Sequence, residues 1–326
     1  MVATVQELEA CIGAAAMPAK LKAIDHLDAH AAQWIAAAPL VTLAAADDAG
    51  RVHATLGGGD PGFAKAEAAH ALTVARSALD DASDLECGQG ASCLFVVPGV
   101  TETFRVAGRI AKVTPAQITI EVTECFVHCG KALIRSAFWD EQSDKPSPNL
   151  PAAARFCVLA TADAGGNVDT SPKGDPQGFI VELDDKTLAL PDRLGNRRAD
   201  GHRNIIANER VALVAFAPGG TDVLELTGRA RLTTDADLLA RMKVEGKAPL
   251  LATLIAADEV RVRPSPALQR ARLWDGDRVS PTRPNPAATL ATHIKLSQAR
   301  LKAEPLDITA ESVEKALAAG YKTTLY

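Results

Sequence analysis

Aromatic residues are scarce in this chain of 326 residues: 8 Phe, 3 Trp and 2 Tyr, 4% in all. That is too few to stack a single-stranded nucleic acid along its length. An excess of positive charge is missing as well. The 35 Lys and Arg face 40 Asp and Glu, for a net charge of −5, which excludes the broad basic surface that a general grip on nucleic acid needs. A small anion remains possible, because a few local arginines can hold a phosphate on an acidic protein. There is no uncharged apolar run long enough to span a bilayer, so no membrane partner is expected. The first 36 residues also lack the basic start and continuous apolar stretch of a secretory leader. Their acidic residues (Glu7, Glu9, Asp25, Asp28) recur turn by turn and predict amphipathic helices. The cysteines (Cys11, Cys87, Cys93, Cys125, Cys129, Cys157) sit in a chain large enough not to need disulfide staples. They are expected as reduced thiols, and the chain as cytoplasmic.

What is present is enough apolar material, 47%, for two cores, and a length that suits two domains at roughly 150 residues each. An internal repeat gives those domains a form. Residues Val41 to Phe63 and Val158 to Phe179 share a β-rich run, an acidic-Gly turn, a second run and a Gly-Asp-Pro loop, with Val52/Val168, Gly62/Gly178 and Phe63/Phe179 in register. Further on, Pro98-Gly99 and Gly108-Arg109 match Pro218-Gly219 and Gly228-Arg229. Finally Ala132-Leu133, Arg135 and Trp139 match Ala267-Leu268, Arg270 and Trp274. The offset grows from 116 to 120 to 135, so the second copy carries two insertions. The expected organisation is a first copy with leading helices over 1–141, a Pro-rich linker over 142–151, a second copy over 152–279, and a Pro-rich and helical tail over 280–326 wrapped on the second copy.

Each copy reads as mainly β. In the second, short runs rich in Val, Leu, Thr and Phe recur between turn signals at Phe156 to Ala162, Asn167 to Ser171, Gly178 to Leu183, Thr187 to Leu190, Arg210 to Phe216, Val223 to Thr233 and Ala257 to Arg263. That spacing predicts an antiparallel barrel or sandwich. Peripheral helices are expected over Arg197 to Ala207 and Asp235 to Lys243.

Two segments concentrate the chemistry. Asp192-Arg193-Leu194-Gly195-Asn196-Arg197-Arg198 joins a strand to a helix. A Gly turn, free N–H groups and forked guanidinium donors suit a phosphate; alone, the same residues also describe an exposed basic helix start. The hairpin Thr170 to Asp175, with Ser171 and Lys173, lies near it in an antiparallel meander and favours the phosphate. The second segment runs from Cys125 to Trp139. Cys125, His128 and Cys129 with Cys87 and Cys93 have poor zinc-ligand spacing. Buried thiols, or a ligand site using His128, Lys131 and Arg135, fit as well. No metal is expected.

The motifs D-x-S-P-K-G-D-P-x-G-F, D-R-x-G-N-R-R and H-C-x-K-A-x-x-R-S-x-F-W together resemble the pyridoxamine 5′-phosphate oxidase-like flavoproteins with the FMN-binding split barrel, over most of 20–139 and 151–275. The resemblance implies a six-stranded antiparallel split barrel, usually a homodimer with FMN in the cleft between subunits. It implies that Ser171, Lys173, Asn196, Arg197 and Arg198 hold the FMN phosphate, and that His128, Lys131, Arg135 and Trp139 stand near the isoalloxazine. In the first copy Thr55, Gly57, Asp80, Asp81 and Ala82 occupy the cradle positions, and carboxylates repel a phosphate. In the second copy Arg263, Pro264 and Pro266 replace His128, Cys129 and Lys131, and the prolines are expected to disrupt that strand. The expectation is two tandem split barrels forming a pseudo-dimer within one chain, with further homodimerisation allowed. One composite FMN site would serve an oxidoreductase of a small substrate or electron donor. The alternative is a non-catalytic flavin, haem or deazaflavin binding or sensing protein. No second phosphate cradle is visible, which speaks against vitamin B6 chemistry itself.

Overall fold

The computed structural model describes the chain except residues 16, 141–148, 194, 196, 277–282 and 305. Most of the expected linker therefore lies outside the described residues.

Three leading helices, α1 (Val5–Ile12), α2 (Met17–Leu21) and α3 (Ala29–Ala37), precede seven strands: β1 (Leu40–Ala46), β2 (Val52–Gly58), β3 (Ala64–Ala68), β4 (Ala71–Ala75), β5 (Gly90–Val96), β6 (Thr103–Val113) and β7 (Gln117–His128). The short helix α4 (Lys131–Arg135) closes this half. After α5 (Leu150–Ala153) the second half repeats the series with β8 (Phe156–Ala162), β9 (Val168–Gly174), β10 (Val181–Asp184) and β11 (Thr187–Asp192). Helix α6 (Asp200–Ala207) is followed by β12 (Arg210–Phe216), β13 (Asp222–Thr233), α7 (Ala236–Arg241), β14 (Leu251–Pro264) and α8 (Pro266–Ala271). The tail forms α9 (Pro286–Leu301) and α10 (Ala310–Thr323).

Both sheets are antiparallel and share one strand order: β2-β1-β5-β6-β7-β4-β3 in the first half and β9-β8-β12-β13-β14-β11-β10 in the second. Two halves with the same non-sequential order are the structural form of the repeat. The insertions fall where the offsets change, at α6 between β11 and β12 and at α7 between β13 and β14. Each sheet has seven strands, one more than the resemblance implies, because the short hairpin partner β3 or β10 adds an edge.

The prolines of the second copy break nothing. β14 runs through to Pro264, and Pro266 stands at the first turn of α8, where a missing N–H costs little. Ser265 caps that helix by accepting from Leu268 N–H. What changed is the side chains, not the elements.

Each half wraps its own core, around Trp34, Phe95 and Phe104 in the first and Leu159, Leu213 and Leu226 in the second. A third cluster belongs to both, joining Leu40, Leu94, Leu133 and Phe138 to Phe156, Val214, Phe216 and Leu268. Phe138 stands at its centre, with ring centroids 4.9 Å from Phe156, 5.5 Å from Trp274 and 6.1 Å from Phe216. The halves also exchange their closing helices. A Cβ on Gly174 of β9 would lie 2.1 Å from the Ala132 carbonyl oxygen of α4, and one on Gly58 of β2 would lie 2.1 Å from that of Ala267 in α8. Only glycine permits this approach, and it recurs at the pseudo-equivalent place.

The tail departs from expectation by packing on the first half. In α9, Thr289 accepts from Trp34 Nε1 at 3.1 Å, His293 lies 3.3 Å from Asp28, and Ser297 donates to the Ala23 carbonyl.

Candidate functional site

The closing helix of one half and the cradle of the other meet at a single cavity of about 140 Å³. From the second half, β9 contributes Ser171 and Lys173, the end of β11 contributes Asp192, and the following loop contributes Arg193, Arg197 and Arg198. From the first half come His128 at the end of β7, Cys129, and Lys131 and Arg135 on α4. Seven of the sequence-predicted residues therefore line one cavity: Ser171, Lys173, Arg197, Arg198, His128, Lys131 and Arg135. Asn196 lies outside the described residues. Trp139 is a correction. Its indole N–H donates to the Val100 carbonyl at 2.9 Å and its ring packs edge-on against Phe138, in the shared core and away from the cavity. The motif's aromatic end belongs to packing.

Sequence reasoning missed most of the electrostatics. Lys173 Nζ is 2.9 Å from Asp192, and His202 Nε2 is 3.2 Å from the same oxygen. Burial pushes the Asp192 carboxyl up, but His202 and Lys173 outweigh it and hold it well below the usual range. Arg193 pairs with Asp175 at 2.7 Å and donates to the Met242 carbonyl. Burial still raises the Asp175 carboxyl despite that arginine.

Arg198, expected on a phosphate, is instead bound to Glu124 of the first half and to Asp200. The same carboxylates, with Asp169, hold Arg105 of β6. This network joins the halves. Its cations converge on the buried Phe126 ring, with Lys22 at 4.1 Å, Arg105 at 4.2 Å and Arg198 at 4.4 Å. Lys22 Nζ donates to the Val127 carbonyl at 3.1 Å, and burial lowers its pKa to about 7. Lys22 and Arg105 had no motif to betray them, since they come from other elements of the opposite copy. Arg197 is the exposed cation of the set, with no partner among the described residues.

Five buried polar atoms lining this cavity lack a hydrogen bond of normal geometry: Arg105 Nε, His128 Nε2, Asp169 Oδ1, Asp175 Oδ1 and His202 Nε2. His128 Nε2 and Asp175 Oδ1 have no ion-pair contact either. Buried polar atoms are rarely left so, and these two mark where a ligand's polar groups would be accommodated. Burial, reinforced by Lys22, Arg105 and Arg198, holds the His128 imidazole well below its ordinary pKa, so it is neutral at neutral pH.

The buried thiols, Cys93, Cys125 and Cys157, serve packing. Burial pushes Cys93 and Cys157 up to about 12, and the buried Cys125 donates to the His26 carbonyl. Among the described residues no three His, Cys, Asp or Glu side chains are placed to hold a metal.

The pseudo-equivalent position holds a second cavity, of about 170 Å³. Its lining stands in register with the first: Leu43 for Leu159, His53 for Asp169, Thr55 for Ser171, Asp81 for Arg197, Asp84 for Asp200 and Glu225 for Arg105. Two arginines have become carboxylates. Asp80 is committed to α8, accepting from the Ser265 hydroxyl and, at 2.7 Å, from Ala267 N–H.

Comparison with known proteins places residues 149–269 in the family model described as pyridoxamine 5′-phosphate oxidase. No curated protein matches the chain. Among solved structures, HupZ of Group A Streptococcus is similar at 18% identity over 34% of this chain and 86% of its own, with a TM-score of 0.29. A putative pyridoxamine 5′-phosphate oxidase of Lactobacillus delbrueckii is 26% identical over 33% of this chain and 84% of its own, with a TM-score of 0.26. General Stress Protein 26 of Bacillus anthracis is 16% identical over 34% and 87%, with a TM-score of 0.28. No helix among the described residues is long and apolar enough to cross a membrane.

Proposed function

We propose, from the premise that residues 149–269 form a pyridoxamine 5′-phosphate oxidase family domain, that the chain binds one FMN in the composite cavity and acts as an oxidoreductase on a small substrate. The observation that carries this reading is the convergence of seven motif residues from both halves on one cavity, where the buried His128 Nε2 has no partner among the described residues. The residues present suit such a ligand. From the second half Arg197 offers donors to a phosphate, and Lys173 offers those left by its pair with Asp192, while the Ser171 hydroxyl donates to Asp169 at 2.6 Å. His128, Lys131 and Arg135 offer donors from the first. When bound, FMN supplies hydride and electron transfer, and the protein's part is binding, orientation and electrostatics.

The neutral His128 gives or takes one hydrogen bond at Nε2 without placing a net charge in the cavity. Arg105 and Arg198 are neutralised by Glu124, Asp169 and Asp200, so that end of the cavity holds a charge-balanced network and no uncompensated buried charge. The second cavity places Asp81 and Glu225 where the first has Arg197 and Arg105, and its Arg261 is paired with Glu259, so it is the poorer site for an anion.

The test is the absorption spectrum and flavin stoichiometry of the purified or FMN-reconstituted chain. One FMN per chain is expected, with bands at roughly 370 and 450 nm, set by the cofactor. Two FMN per chain, or none after reconstitution, would overturn the reading. Anaerobic reduction followed by reoxidation with candidate acceptors then separates turnover from binding alone.

A further inference from the structure

The cavity is small for a cofactor. Its volume of about 140 Å³ falls short of the roughly 300–1,000 Å³ of small-molecule sites. Donors on its first-half wall are meanwhile taken by the chain's own end. Lys131 Nζ donates to the Thr324 carbonyl at 2.5 Å and to its hydroxyl at 2.8 Å, and Arg135 Nε donates to the Leu325 carbonyl at 2.6 Å. Gly130 N–H donates to the Tyr321 hydroxyl at 2.8 Å, which donates in turn to Glu102. The Tyr326 ring lies 5.7 Å from the Arg135 guanidinium and 5.6 Å from that of Arg193, one arginine from each half. The segment 321–326 thus spans the cleft from wall to wall.

The degenerate cleft shows what happens without such a segment. There Arg270, the counterpart of Arg135, donates directly across to the Gly58 and Ala78 carbonyls. In the intact cleft the corresponding arginine meets carbonyl oxygens of the tail. The tail's hold is also shallow: α9 buries seven residues, whereas α10 buries none. A segment with so little buried surface opens at low cost.

We propose that residues 321–326 are an autoinhibitory strap whose oxygens occupy Gly130 N–H, Lys131 and Arg135 in place of the carbonyl, carboxylate or phosphate oxygens of a ligand, and that ligand entry displaces it. This rests on the FMN reading of the cleft for the identity of the ligand, not for the strap itself. The chain's only tyrosines are Tyr321 and Tyr326, both on the strap, so they report on it alone.

The experiment uses the full chain labelled with 3-fluorotyrosine, titrated with FMN. A loosened variant, Tyr321→Phe with Tyr326→Ala, is compared for FMN affinity and for the rate of Cys129 alkylation without ligand. The strap predicts that both fluorine resonances shift on binding. It predicts that the variant binds FMN about tenfold more tightly, since a strap closed nine-tenths of the time lowers apparent affinity by that factor. It also predicts that Cys129, on the cavity wall beside Gly130, is alkylated several-fold faster in the variant. FMN binding with unmoved resonances and equal affinities overturns the strap and leaves the cofactor reading intact. Weaker binding by the variant overturns it too, by making the segment part of the ligand site. Faster Cys129 alkylation with no FMN binding in either protein supports the strap and overturns the cofactor reading; equal alkylation rates overturn the strap.

Discussion

The paired glycines allow a test in which one half of the molecule controls for the other. In Gly174→Ala the new Cβ meets the Ala132 carbonyl at 2.1 Å, and real Cβ contacts do not fall under 3.0 Å. Helix α4 must therefore retreat by roughly an ångström, carrying Lys131 and Arg135 with it. Neither Gly174 nor Gly58 has positive φ, so the cost comes from contact and not from backbone strain. Overpacking of this kind costs about 1–3 kcal/mol. Gly58→Ala imposes the same 2.1 Å contact on Ala267 and moves α8, which faces the degenerate cleft. Urea denaturation should show similar destabilisation for both variants. FMN titration should separate them. Charge-assisted hydrogen bonds contribute about 1.5–3 kcal/mol, so misplacing Lys131 and Arg135 weakens binding by roughly 10- to 100-fold, while Gly58→Ala leaves affinity within about twofold of the parent. Equal loss of affinity in both variants would refute the assignment of function to one cleft. Unchanged stability in both would refute the exchanged-helix packing.

Other perturbations probe separate parts of the site. Arg197→Ala, which removes an exposed guanidinium, should weaken FMN binding by roughly tenfold or more and shift the urea midpoint hardly at all. Phe138→Ala, at the centre of the shared core, should destabilise the whole chain by about 3–5 kcal/mol; a loss under about 1 kcal/mol in calorimetry would show that the halves do not depend on each other. Lys22 makes a pH prediction. Its folded pKa of about 7 lies below the unfolded value of 10.5, so between those values the unfolded chain binds the extra proton and stability rises with pH. The advantage of Lys22→Met over the parent should therefore be larger at pH 6 than at pH 9.5, by about 3 kcal/mol. A pH-independent difference would mean that Lys22 stays charged among Arg105, Arg198, Cys129 and Asp200.

Much of the fold was legible because duplication writes each element twice. Val52/Val168 and Gly62/Gly178 fixed the register, and the jumps in offset fell on α6 and α7. The prolines misled, because Pro266 reads as a strand breaker until Ser265 is seen to cap a helix. In the site, motif residues carried by one strand or turn could be read directly. Arg198 could not, since its partner Glu124 lies 74 residues away on the other half. Trp139 failed for a related reason. Its neighbour Phe138 faces the shared core, and nothing in a linear motif says where the site ends and the packing begins. The tail carries no motif at all, and its contacts to Lys131 and Arg135 depend wholly on where α9 docks.

The asymmetry of the two clefts follows from joining the copies in one chain. In a homodimer one sequence builds both clefts, so a change at Arg105 or Arg197 damages both at once. Once the copies are fused, each composite cleft depends on only half the positions of each copy. The first copy can place Asp81 where the second keeps Arg197, and the second can place Glu225 where the first keeps Arg105, provided the losses fall on the same cleft. They do. Positions that serve packing are under the opposite constraint. Gly58 and Gly174 admit the closing helix of the other half at pseudo-equivalent places, and Trp139 and Trp274 both pack around Phe138 in the shared core; these pairs are kept although the two cavities differ in the charges that line them. Loss concentrated in ligand-facing positions of one cleft, with packing kept in both, is the pattern expected of a chain that needs the whole pseudo-dimer to build a single site.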